Sequence, residues 1–187
     1  TTEIYTLSLH DALPILETTS HGLEQGRLAG LKFDSVGYTN ITSEHLDYHG
    51  DWFSYCNAKS LLIKKHLKSN GSVILNKDDK AYDVLSKLTD SYLTYSLKED
   101  ADYMASNIVE NNDGVSFSVK SSDKVYEGRI NILGRYNVSN FLCALGICNS
   151  LGLEISKCIE NIKTFRTVEG RIDRKSTRLN SSHESPS

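Results

Sequence analysis

The stretch SVILNKDDKAYDVLSKLTDSYLTYS (72–96) decides how the rest of the chain is read. SVILN is a compact apolar run of strand length, preceded by Gly71 and followed by a charged cluster. Asp78 and Asp79 then open a helical segment, AYDVLSKL, and YLTYS (92–96) reads as another strand. A strand, a helix and a strand in succession are the repeating unit of a parallel sheet, because parallel strands cannot be joined by a tight turn.

The same alternation extends upstream. DSVGY (34–38) is strand-like, and TNIT follows it as a loop at the strand's carboxyl end. Asp51 is placed to N-cap a helix running through WFSYCNAKSLLIKKHLK (52–68), and Asn70-Gly71 punctuates before SVILN. HGLEQGRLAGL (21–31) reads as a short helix with a turn, and LETTS (16–20) as the end of a strand.

Downstream the pattern changes. MASNIVE (104–110), VSFSVK (115–120) and VYEGRINI (125–132) alternate in part, with the turns ENNDG and SSDK between them, and predict a small antiparallel sheet. LGRYNVSNFLCALGICNSLG (133–152) predicts a helix of about four turns. Asn137 or Ser139 lies near its start and Gly152 is its C′ residue. EISKCIENI (154–162) is one more short helix, and 164–172 is an exit segment. The fold class expected is α/β: a mostly parallel sheet with flanking helices, plus a small antiparallel sheet.

A chain of 187 residues corresponds to about one domain. A net charge of −3 and the lack of a long basic run argue against a nucleic-acid partner. No apolar run approaches the roughly 18 residues of a membrane span. The four cysteines form no CxxC pair. Cys143 and Cys148 sit in an apolar helical pattern and read as small core residues of a reducing compartment, with a disulfide as the lesser alternative.

The two ends look foreign to the body. Both prolines, Pro14 and Pro186, lie in them, whereas 16–172 has none where roughly eight are expected at average usage. YTLSLHDALPI (5–15) and DRKSTRLNSSH (173–183) read like translations of common short-read sequencing adapters. The expected organisation is therefore 1–15 and 173–187 as adapter-like, disordered segments around 16–172, an internal fragment of a natural protein.

Ligands of open α/β sheets bind beyond the carboxyl ends of the strands, where LETTS and TNIT should lie. Four features there have the residue types for chemistry. His45, Asp47 and His49 crowd into HLDYHG and could ligate a metal, although no H-E-x-x-H pattern is present and such a spacing is more often structural. Lys59 lies within an apolar helical pattern, either snorkelling to water or with its pKa lowered by burial. Glu17 followed by Thr18, Thr19 and Ser20 offers hard oxygen donors suited to Mg²⁺ and phosphate. Gln25 and Arg27 follow, and a guanidinium there could hold a carboxylate or simply be solvated.

Taken in order, ETTSHGLEQGR (17–27), YTNITSEHLDYHG (38–50), NAKSLL (57–62), RYNVSN (135–140) and VEGR (168–171) closely resemble the Mur ligase family. The likeness is to the branch that adds the third residue of the peptidoglycan stem peptide, the UDP-N-acetylmuramoyl-tripeptide synthetases, and it covers 16–172. Its implications are specific. Such enzymes use ATP and Mg²⁺ to phosphorylate the D-glutamate side-chain carboxylate of UDP-MurNAc-L-Ala-D-Glu. The amine of a diamino acid, meso-diaminopimelate or L-lysine, then displaces phosphate. By motif, Glu17 and His45 would hold Mg²⁺, and Lys59 would be carbamylated and join them. Thr19, Gln25 and Arg27 would hold the UDP-muramyl dipeptide, and Asn137, Asn140 and Arg171 would lie near the nucleotide. Thr19 replaces the first serine of the family's S-S-H and keeps its hydroxyl.

The resemblance further implies a monomeric enzyme of the bacterial cytoplasm with no membrane or nucleic-acid partner. No G-x-x-G-K-[ST] phosphate loop occurs in the chain, so the polypeptide alone is expected to be inactive. Two other readings come from different classes: a small metal-dependent hydrolase built on His45, Asp47 and His49, and an inert fragment.

Overall fold

The computed structural model describes residues 14–41 and 49–165. Three parallel strands form first: β1 (Phe33–Gly37), β2 (Leu67–Asn76) and β3 (Tyr92–Ser96). Around them lie α1 (Ser20–Glu24), α2 (Trp52–Leu61) and the short α3 (Tyr82–Leu85). Three further strands, β4 (Tyr103–Asn111), β5 (Gly114–Ser121) and β6 (Lys124–Ile130), pair antiparallel. They are followed by α4 (Arg135–Ser150) and α5 (Ile155–Ile162).

All six strands belong to one sheet in the order β1-β2-β3-β4-β5-β6. The expected antiparallel sheet is thus a wing of the parallel one. Its joint is short: β3 and β4 pair in parallel only at Tyr95↔Tyr103 and Ser96↔Met104. Overlap this brief lets a short loop make the connection, where a full-length parallel pair needs a long crossover.

The alternation of β2 sorts the core into two layers. Val73 and Leu75 face one side, packing with Val36, Tyr38, Cys56, Leu62 and Leu85. Ile74 faces the other, packing with Tyr95, Phe117, Phe141, Leu142 and Leu145. Each of these buried apolar side chains contributes about 1.5–3 kcal/mol relative to exposure. The result is helices on both faces of a central sheet.

Local chemistry explains most boundaries. Asp51 caps α2, its Oδ1 accepting from the Ser54 N–H at 2.7 Å. At the other end of α4, Gly152 N–H donates to Asn149 O and Leu153 N–H to Cys148 O, the 5→2 and 6→1 bonds of a Schellman stop. Gly152 takes φ +91°, as that stop requires.

Three expectations shift. Residues 16–19 form no strand; Thr19 instead caps α1, its Oγ1 accepting from Gly22 N–H at 3.1 Å. The helix expected over 52–68 ends early: a wider turn spans Leu62–His66 and β2 begins at Leu67. Asn70-Gly71 does not precede the strand but lies inside it. Between the pairs Phe33↔Leu67 and Ser35↔Ser72, β2 advances further than β1, so the flexible dipeptide marks a bulge.

Candidate functional site

The loops after β1, β2 and β3 converge on one run, Asn76-Lys77-Asp78-Asp79. Asn76 Nδ2 donates to Thr39 O at 2.8 Å, and its Oδ1 accepts from Asp78 N–H at 3.0 Å. Asp79 accepts from the N–H of Ile41 at 3.1 Å and of Ala81 at 2.8 Å. Asp78 accepts from Ser96 Oγ at 2.6 Å and Leu97 N–H at 2.7 Å. The helix expected to open at these two aspartates begins only at Tyr82, with Ala81 before it and no side-chain cap; Asp78 and Asp79 instead pin three loops at the strands' carboxyl ends. A polar run immediately after the buried end of a strand, Val73–Leu75, was the available signal.

Trp52 extends this framework. Its Nε1–H donates to Ile41 O at 2.8 Å, and the Lys80 ammonium stands 4.2 Å from its ring centroid. Tyr38, just past β1, donates its hydroxyl to the Lys59 carbonyl at 3.0 Å, fixing α2 to the sheet at Lys59.

Lys59 itself is half-buried, and its Nζ donates to Thr18 O at 3.0 Å. The Tyr55 ring lies beneath, 6.0 Å from Nζ to centroid. Burial pushes the Lys59 amine below the ordinary lysine range, and the Glu17 carboxylate opposes that shift. Glu17 and Lys59, 42 positions apart in sequence, are therefore electrostatic neighbours. Thr19 and Arg27 adjoin each other across Gly22, where a Cβ would stand 3.1 Å from Thr19 Oγ1 and 4.0 Å from Arg27 Cδ. Gln25 and Arg27 are both exposed, and the Gln25 N–H closes α1 against His21 O and Leu23 O.

His49 is tied to α1. Its Nε2 lies 2.9 Å from Ser20 Oγ and its Nδ1 3.7 Å from Glu24 Oε2, with the side chain only 2% exposed. The His21 and Tyr55 rings flank it at 5.5 and 5.2 Å. His49 thus braces α1 against α2 with both ring nitrogens facing α1 partners. His45, Asp47 and Arg171 lie outside the described residues. Among the described residues, no group of three His, Cys, Asp or Glu side chains is arranged to hold a metal. Glu17 with Lys59 supplies part of a donor set: a carboxylate beside an amine that CO₂ would convert to a second oxygen anion.

Asn137 and Asn140 reach the same end of the molecule by the direction of α4. Ser150 Oγ meets Ser35 Oγ at 2.9 Å, mid-strand, whereas Gly37 faces Ile147 and Cys143. Tyr95, which donates to Tyr38 O at 3.0 Å, interacts with Cys143 and Ser139. Hence α4 runs antiparallel to β1, with its amino end over the strands' carboxyl ends. Asn137 is partly spoken for, since its Nδ2 donates to Leu133 O at 2.8 Å; Asn140 is exposed.

The Mur ligase middle domain family matches residues 8–148. The UDP-N-acetylmuramoyl-L-alanyl-D-glutamate–L-lysine ligase of Staphylococcus aureus (strain MW2) is 36% identical over 162 residues, 84% of this chain and 33% of that protein. That of Staphylococcus epidermidis is 35% identical over the same length. Among solved structures, a UDP-N-acetylmuramoyl-L-alanyl-D-glutamate–2,6-diaminopimelate ligase superposes with a TM-score of 0.75 at 31% identity. It covers 83% of this chain and 33% of its own. A MurF ligase from Thermotoga maritima in complex with ADP shares the fold, with a TM-score of 0.67 at 19% identity over 80% of this chain and 34% of its own. The chain spans about a third of the length of the curated relatives it matches.

Proposed function

The chain belongs to the Mur ligase family by its middle domain, and from that premise we propose that it is part of an ATP-dependent ligase of peptidoglycan synthesis. The reaction joins meso-diaminopimelate or L-lysine to UDP-MurNAc-L-Ala-D-Glu in the bacterial cytoplasm. The observation that carries the reading is Lys59: a half-buried amine, lowered in pKa, held 3.0 Å from Thr18 O with Glu17 as its charged neighbour.

In this reading Lys59 is carbamylated, and it holds Mg²⁺ together with Glu17 and His45. Bound Mg²⁺ supplies charge neutralisation for the phosphates. Burial keeps a larger share of the Lys59 amine neutral, the form that takes up CO₂. Thr19, Arg27 and Gln25 bind the UDP-muramyl dipeptide. Asn137 and Asn140, at the amino end of α4, bind the nucleotide together with Arg171. The bracing of α1 by His49, and of the three loops by Asp78 and Asp79, keeps these groups in register, since positioning supplies much of the rate in phosphoryl transfer.

Of the three residues of the metal-hydrolase reading, His49 is engaged with Ser20 and Glu24. The test is recovery of the full gene and an assay of ADP release with UDP-MurNAc-L-Ala-D-Glu plus each diamino acid. ADP release dependent on substrate and on one diamino acid supports the reading. Release with neither, or hydrolysis without ATP, overturns it. The 187-residue chain alone is expected to release no ADP.

A further inference from the structure

Tyr55 has no part in the reaction as proposed, yet it lies against the amine on which that reaction turns. It stands one helical turn before Lys59 on α2, so the two side chains share a face of the helix. A long side chain on a helix leans back over the preceding turn, which lays the Lys59 stem along the Tyr55 ring. The Lys59 Nζ is 6.0 Å from the ring centroid. That is the outer limit of a cation–ring attraction, so the ring acts on Lys59 by its shape more than by its charge distribution. The face is a buried one: Tyr55 is 7% exposed, whereas Phe53 on the same helix is 72% exposed.

The ring is itself held. His49 packs against it with centroids 5.2 Å apart and the planes tilted by 45°. His49 in turn has Ser20 Oγ at 2.9 Å and Glu24 Oε2 at 3.7 Å, both on α1. Lys59 Nζ donates to Thr18 O at 3.0 Å, immediately before the Thr19 that caps α1. The contacts thus close a circuit. It runs from α1 through His49 and Tyr55 to Lys59, and from Lys59 back to the entry of α1.

We propose that Tyr55 is a positioning residue for Lys59: held by His49, its ring confines the lysine stem to the course that ends at Thr18 O. A free lysine stem samples several staggered rotamers at each bond, and few of them reach that point. The effect on the side chain rests on geometry alone; its consequence for turnover rests on the reading of Lys59 as the metal-holding lysine. The circuit has a second consequence under that reading. Thr19, Gln25 and Arg27, assigned to the UDP-muramyl dipeptide, lie on or beside α1. A shift of α1 therefore reaches Lys59 through two packed rings, which couples the dipeptide segment to the lysine.

The test has two readouts. The first is NMR of the 187-residue chain carrying ¹³C-labelled lysine. The Lys59 ε-methylene signal, assigned by its absence from Lys59→Ala, should stand apart from those of exposed lysines, with its two protons inequivalent. Tyr55→Phe should preserve both features, and Tyr55→Leu should return the signal to the common envelope. His49→Gln keeps a hydrogen-bonding group toward Ser20 and removes the ring against Tyr55. It should move the signal the same way by a smaller amount, and it carries the comparison if Tyr55→Leu does not fold. The second readout is the full-length enzyme, where Tyr55→Leu should lower kcat by about 10-fold or more with the KM for ATP unchanged, and Tyr55→Phe should restore it. A Lys59 signal that neither Tyr55→Leu nor His49→Gln moves would overturn the inference, as would a Tyr55→Phe chain as impaired as Tyr55→Leu. If the signal answers to Tyr55 while Lys59→Ala leaves turnover intact, the ligase reading fails and the positioning stands.

Discussion

At the scale of single residues, Lys59 carries the sharpest expectation. Its amine is lowered in pKa by burial. The sign follows: at any pH below 10.5 more of it is neutral than for an exposed lysine, so carbamate should form at lower pH than on surface lysines. In ¹³C-bicarbonate, NMR of the folded chain should show, besides the carbamate of the N-terminal amine, a signal that grows with pH at fixed dissolved CO₂ and is absent from Lys59→Ala. In the full-length enzyme Lys59→Ala should cut turnover by about 10²-fold or more, with partial rescue by short carboxylates. Normal turnover in that variant would remove Lys59 from the site. His49 belongs to the same scale. Replacing it by alanine strands Ser20 and Glu24 and should cost about 1–3 kcal/mol in a denaturant melt; an unchanged midpoint would deny its bracing role. Neither residue's partners were legible by spacing. The motif marked Lys59, but periodicity alone allowed a snorkelling surface lysine, because Thr18 and Glu17 reach it from 41 and 42 positions upstream. HLDYHG suggested a metal triad, and only packing shows His49 turned toward α1.

At the scale of elements, patterns set by local chemistry were readable and those set by tertiary competition were not. YLTYS forms β3 without a shifted boundary, and the three antiparallel runs form β4, β5 and β6, since alternation and turn residues are local signals. The end of α2 was hidden because Leu67 continues the apolar pattern of the helix. Pairing with Phe33 of β1 claims it for the strand instead. Asn70-Gly71 signalled irregular backbone correctly, but a bulge and a turn look alike in sequence. Two substitutions test element packing. Asp51→Ala removes the α2 cap and should lower the urea midpoint. Gly146→Ala is more telling. Alanine in a helix interior normally stabilises by about 0.5–1 kcal/mol, yet here its Cβ would lie 2.7 Å from Ile74 Cγ2 and 3.3 Å from Tyr103 Cε2. The branched Ile74 is fully buried on β2 and cannot swing clear, so the sign should reverse, to a loss of about 1–3 kcal/mol. A stabilised Gly146→Ala would mean that α4 sits further from the sheet than described.

At the scale of the whole molecule, one sheet carries both halves of the chain, and its two faces are closed by separate apolar layers. Parallel strands aim three loops at one end, while the wing of β4–β6 extends the face on which α4 and α5 dock. The α/β class was legible from 72–96, and the continuity of the wing was not, because a two-pair joint leaves no pattern in sequence. The paired layers have a pH consequence. Cys143 is pushed up to about 12 by burial, while Tyr38 and Tyr95 are raised above the ordinary tyrosine range, again chiefly by burial. For an acid raised in the folded state, the unfolded chain loses its proton first. The stabilisation is therefore complete below the ordinary value, 9.0 for the thiol and 10.0 for the tyrosines, and is lost as pH rises beyond it. Lys59 works the other way, its burial cost easing as pH approaches 10.5. These three acids, with Cys56, Tyr82, Tyr103 and Cys158 raised in the same direction, outweigh the one lowered lysine, and each fully mismatched proton is worth about 1.4 kcal/mol per pH unit. Urea midpoints should thus fall increasingly steeply from pH 9.0 toward about 12. Cys143→Ala should show a shallower fall over that range, whatever its midpoint at neutral pH. A midpoint independent of pH across the window would mean that these groups are solvated, and the two-layer core with them.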